Sequence, residues 1–132
     1  MSDLAPYLSP AWFERLRVVA GDLPAQPGVS GRVAHVVAGA PEGDVAYVMA
    51  FVDGRLTEAT RSDTPDAAVA TTRSYADGLR IAHGELDEAA AFMQGRLKVT
   101  GDTGTFLALQ RVTQSPAWRA ATAALAAETV AP

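Results

Sequence analysis

Two histidines, His35 and His83, are the side chains best suited to proton transfer or metal ligation near neutral pH. His35 alternates with Val33 and Val37, so it stands on an apolar strand face. His83 falls on a helix flank. No HExxH string, paired histidine or His-rich tract accompanies them, and a metal site lacks donors at ligand spacing. There is no Cys, which excludes a thiolate nucleophile and a disulfide scaffold. Glu85, Asp87 and Glu88 cluster between two predicted helices. Paired carboxylates can do acid–base work, but that needs an apolar cleft to separate their pKa values. At a helix N-terminus the same acids cap and complement the dipole. Gly101-Asp102-Thr103-Gly104 precedes a helix and could cradle a phosphate. Asp102 would repel that anion, and a strand-to-helix turn accounts for the same residues. No GxSxG, GxxxxGK[ST] or GxGxxG string occurs. Were the protein an enzyme, Tyr47, His35 and Tyr75 would be its candidates. The residues ask for no cofactor and no metal.

These side chains must be positioned by a small set of elements. Ser9-Pro10-Ala11-Trp12 opens a helix, with Ser9 as cap and Pro10 where its missing N–H is harmless. Arg32 to Ala38 is β-branched and alternating, and Gly39 to Asp44 is a turn. Val45 to Val52 is the most apolar strand, with Tyr47, Met49 and Phe51 on one face and Ala46, Val48, Ala50 and Val52 on the other. Apolar residues on both faces mean a strand covered twice, or one face turned to a cavity. Asp53-Gly54 is a hairpin signal, Arg55 to Arg61 the returning strand, and Asp63 to Asp66 a turn. Ala67 to Thr72 is a weak strand. Ser74 caps a helix ending near Gly84; Asp87 caps a second through Met93. Arg96 to Thr100 is a strand with Leu97 and Val99 inward. Gly101-Asp102 leads into a helix through Val112, and Ser115-Pro116-Ala117-Trp118 opens an Ala-rich helix to Glu128. Trp118 and Leu125 are that helix's two large anchors, so it serves as a cap or as a lid. Strands segregated from helices imply an α+β domain.

With 132 residues the chain is the size of one domain. Apolar residues make up 48% and charged residues 20%, which excludes a disordered chain. The net charge of −4 offers no basic face for a nucleic acid or an anionic membrane. No apolar run approaches the ~20 residues that span a bilayer, and no charged-then-apolar leader opens the chain. A cytoplasmic protein with no nucleic-acid partner and no stable membrane insertion is expected.

One segment is more specific. Pro65-Asp66-Ala67-Ala68-Val69-Ala70-Thr71-Thr72, then Gly84, then Ala91-Phe92-Met93-Gln94-Gly95-Arg96-Leu97-Lys98-Val99-Thr100-Gly101-Asp102, then Leu107-Ala108-Leu109-Gln110 resembles the sterol carrier protein type 2 family. That family shows A-F-x-x-G-K-L-K-[IV]-x-G-[DN] at this place; Arg96 here replaces the Lys and keeps the charge. The resemblance covers Gly31 to Val112. It implies an α+β fold with a five-stranded, mainly antiparallel sheet, helices over one face and an apolar tunnel for a sterol, fatty acid, acyl-CoA or other lipid. The peroxisomal tripeptide of many eukaryotic members is absent from Thr129-Val130-Ala131-Pro132, and the segment around Trp12 has no counterpart in the pattern.

The expected protein is a single domain over 1–132, best matched over 31–112, with an N-terminal helix and loop over 1–28 and a C-terminal helix over 115–128. Its expected function is non-catalytic carriage of a hydrophobic small molecule, with Phe51, Leu79, Phe92, Met93, Phe106, Leu107 and Leu109 lining the tunnel. Two alternatives stay open. One is the same fold with a filled cavity, acting as a structural or regulatory module or a homodimer. The other is a small enzyme on an apolar substrate.

Overall fold

The computed structural model describes residues 5–63 and 66–130. Thr64, Pro65, Ala131 and Pro132, which entered the turn and the resemblance above, lie outside the described residues. Along the chain run β1 (Ala5–Pro6), α1 (Pro10–Val19), β2 (Gly31–Ala40), β3 (Gly43–Val52), β4 (Arg55–Arg61), β5 (Val69–Ser74), α2 (Tyr75–Ala82), α3 (Glu88–Met93), β6 (Lys98–Gly101), α4 (Thr103–Thr113), α5 (Pro116–Ala126) and β7 (Thr129–Val130). The fold is α+β.

The main sheet has five strands in the order β4-β3-β2-β5-β6. Three of its pairs are antiparallel, and only β2 with β5 is parallel. The turn between β3 and β4 has φ of 49° at Asp53 and 81° at Gly54. Positive φ at both central residues matches the twist of the flanking strands, which is why Asp-Gly suits this hairpin. β2 runs two residues further than the alternation implied, through Gly39 to Ala40, where Ala40 pairs with Gly43 beyond a register shift and Asp44 accepts the Gly39 N–H at 3.0 Å. β5 begins at Val69, two residues later than expected, and continues to Ser74.

Each helix starts where a side-chain oxygen can take a free N–H. Ser9, Ser74, Asp87, Asp102 and Ser115 accept from the residue three positions on. Asp102 also accepts the Thr105 hydroxyl at 2.8 Å, and these bonds lower its pKa. The GDTG segment is therefore a helix cap. Gly101 has φ of 90°, and a Cβ there would stand 2.5 Å from the Ala68 carbonyl oxygen.

The core lies between one sheet face and the helices. Val33, Val37, Val45, Tyr47, Met49, Phe51 and Val69 belong to it, whereas Ala34, Val48 and Ala50 on the opposite face do not. The chain's two apolar faces on β3 thus have different duties. Helix α1 buries Trp12, Phe13 and Leu16 against this core. Its rings step onto the sheet: Trp12 to Phe13 at 5.0 Å and Phe13 to Tyr47 at 5.2 Å between centroids. The C-terminal end is tied to the same region. β7 pairs in parallel with β1, Trp12 Nε1 donates to the Thr129 hydroxyl at 3.1 Å, and Arg15 pairs with Glu128. Trp12 is buried and Trp118 half-buried, so neither is an exposed anchor.

Candidate functional site

Register across the sheet builds the site. Tyr47 on β3 stands opposite His35 on β2, which stands opposite Thr71 on β5. All three side chains point to the helix-covered face and are buried. Two residues further along β5, Arg73 points the same way and is buried too. Its guanidinium turns back toward this row. Nη2 lies 2.8 Å from His35 Nδ1 and 3.0 Å from the Thr71 hydroxyl, and Nη1 lies 3.3 Å from Glu88 at the start of α3.

The geometry fixes the histidine's proton. A guanidinium only donates, so Nδ1 of His35 accepts and the ring proton sits on Nε2. The Thr71 hydroxyl, 2.6 Å away, accepts from Arg73 and donates to Nδ1. Burial, and then the charge of Arg73, push the His35 pKa well below its ordinary value. Burial raises Tyr47 and also Tyr7, which Tyr47 pushes up further. Burial opposes the charge on Arg73, but Tyr47 and Glu88 outweigh it, and its pKa rises.

His35, Tyr47, Arg73 and Glu88 form part of the wall of a cavity of about 540 Å³ between the sheet and the helices. The apolar wall includes Val33, Met49, Phe51, Phe106, Leu109 and Trp118. Gln110 and Thr113, one turn apart on α4, also line it; the Gln110 Nε2 and Thr113 hydroxyl are buried without a partner in the structure. Asp87 and Arg119, both exposed, face each other across α3 and α5 at 3.6 Å.

Of the residues expected to line a tunnel, Phe51, Phe106 and Leu109 lie on the cavity wall. Leu79 and Phe92 pack against the core outside that wall, Phe92 with its ring 5.3 Å from Phe106. Met93 and Leu107 are corrections: they are 81% and 51% exposed. Met93 is the last residue of α3, and Leu107 in mid-α4 shares a side with the exposed Thr103 and Arg111 while Phe106 and Leu109 turn inward. Sequence reasoning missed Arg73, because the weak alternation of β5 carries the strand only as far as Thr72. Val69 and Thr71 fix the inward positions, and the next is Arg73. Among the candidates named for an enzyme, His35 and Tyr47 reach the cavity and Tyr75 does not. No group of three His, Asp or Glu among the described residues could hold a metal ion.

Residues 15–114 match the model of the SCP-2 sterol transfer family. The chain belongs to this family. SCP-2 domains are lipid-binding and lipid-transfer domains. Solved structures agree on the fold. A sterol carrier protein 2 superposes with a TM-score of 0.70 at 19% identity, covering 88% of this chain and 97% of that one. A protein of Thermus thermophilus, described as possibly a sterol carrier protein, gives 0.66 at 18% identity, with 96% and 93% covered. A palmitated sterol carrier protein 2 like 2 from Aedes aegypti gives 0.63 at 18% identity, with 79% and 92% covered. No curated protein matches the chain significantly. The SCP-2 match begins inside α1, so Trp12, which lines the cavity, lies ahead of it. No helix among the described residues is long and apolar enough to cross a membrane. The homodimer left open by the sequence gains no support.

Proposed function

We propose that this SCP-2 protein binds and carries one hydrophobic small molecule, such as a sterol, fatty acid or acyl-CoA, with no catalysis of its own. The observation that carries the reading is the cavity of about 540 Å³ with its wall of Val33, Met49, Phe51, Phe106, Leu109 and Trp118. That volume lies in the range of small-molecule sites, and close packing would have removed it if the fold served only as a scaffold. The palmitated Aedes aegypti neighbour lends the same direction. A general-base enzyme fits less well. Nδ1 of His35 is engaged by Arg73 and Thr71, and Nε2 carries the proton, so neither nitrogen is free to take one.

The test is native mass spectrometry of the purified protein, followed by solvent extraction and titration with a neutral fluorescent lipid. A non-covalent adduct released as lipid, or saturable one-to-one binding of the probe, is the expected result. Absence of both would refute carriage.

A further inference from the structure

The cavity is not uniformly apolar: besides Gln110 and Thr113 on α4, its sheet side carries a polar cluster of its own. His35 presents Nε2–H and Tyr47 its hydroxyl; among the described residues neither has a hydrogen-bond partner. Their rings lie 5.0 Å apart, side by side on adjacent strands. Behind them stands Arg73, with its side chain 3% exposed and its Nε–H buried without a partner. The acid nearest to this charge is Glu88. It meets the guanidinium at Nη1 alone, at 3.3 Å, longer than the ~2.7–2.9 Å of a strong charge-assisted pair. Glu88 is also partly exposed, so its charge is shared with water.

The cluster therefore offers donors and an incompletely neutralised cation beside an apolar wall. A hydroxyl or ester head would use the donors but leave the charge. A carboxylate uses both, since it only accepts and carries the opposite sign. We infer that the His35, Tyr47 and Arg73 cluster is a head-group site that selects an aliphatic carboxylic acid over neutral lipids of the same length. This rests on the carriage reading above and narrows its cargo.

The experiment compares pyrene-labelled dodecanoic acid with its methyl ester, which share the apolar part. Binding is measured by fluorescence for the parent and for Arg73→Met/Glu88→Gln, which removes both charges of the pair and leaves neither unpaired. The parent should prefer the acid by about tenfold or more, as a charge-assisted hydrogen bond provides. In the double variant the ratio should fall toward one. A second readout uses the parent alone: carboxyl-¹³C dodecanoic acid, bound and titrated by NMR, should ionise at lower pH than the free acid. If the double variant does not fold, this titration decides. Equal binding of acid and ester by the parent overturns the head-group site while leaving carriage intact. So does a preference that survives the double variant, or a bound carboxyl that titrates above the free acid. Failure of both probes to bind removes the carriage reading, and this inference with it.

Discussion

The Nη2 of Arg73 lies 2.8 Å from Nδ1 of His35, in the interior of a protein whose two residues are 38 positions apart. Burial, with this permanent cation beside it, holds a titratable ring neutral. The unfolded chain binds a proton at His35 near its ordinary pKa of 6.5, and the folded chain does not until well below. Stability contributed by this site is fully present above 6.5 and is lost as pH falls through and below that value. The slope from this one group approaches about 1.4 kcal/mol per pH unit. His35→Asn keeps an acceptor for Arg73 and cannot take the proton. Urea denaturation from neutral to mildly acidic pH should show a falling stability in the parent and a flatter profile in the variant. Parallel profiles would remove His35 as the cause.

Glu88 and Arg73 should not be equivalent when deleted. Glu88→Ala leaves a guanidinium whose side chain is 3% exposed without its carboxylate, whereas Arg73→Met leaves a carboxylate that is 18% exposed. The first should cost about 3 kcal/mol and the second less, because water can solvate the remaining acid. The combined variant should cost less than the sum. A double-mutant cycle by denaturant unfolding measures all three, and additive losses would mean that the pair is not coupled.

Gly78 sits inside α2, where Ala ordinarily stabilises a helix by about 1 kcal/mol. Here a Cβ would stand 2.6 Å from the Tyr7 hydroxyl oxygen. Gly78→Ala should therefore lower the melting temperature. Adding Tyr7→Phe removes the clashing oxygen and should restore it at least in part. An increase with Gly78→Ala alone would show that Tyr7 moves aside at no cost.

Adjacent residues on α4 should respond oppositely to a charge. Phe106 is 3% exposed and packs on Phe92, so Phe106→Asp should prevent folding or cost several kcal/mol, roughly. Leu107→Asp meets water and should stay within about 0.5 kcal/mol of the parent. Circular dichroism melts of the two variants test this. A stable Phe106→Asp protein would contradict the orientation of the helix.

Much of the architecture was legible because its causes are local. Cap residues such as Ser9, Ser74 and Ser115 satisfy N–H groups within one turn, and Asp53-Gly54 adopts its turn from its own φ preferences. The alternation of Val33, His35 and Val37 put His35 on the inner face for the same reason: side-chain direction in a strand has period two. Which side of Met93 and Leu107 turns inward was not local. It depends on how α3 and α4 dock: α4 turns Phe106, Leu109 and Val112 inward and leaves Leu107 on the side of Thr103 and Arg111. The polar cluster was further out of reach. His35, Tyr47, Thr71 and Arg73 come from three strands, and only the register of β3 on β2 and of β5 on β2 brings them together. An arginine in a weak strand reads as a solvated residue until its neighbours are known. The sequence by itself determined the elements and the family; only tertiary structure decided that the apolar cavity has a charged end.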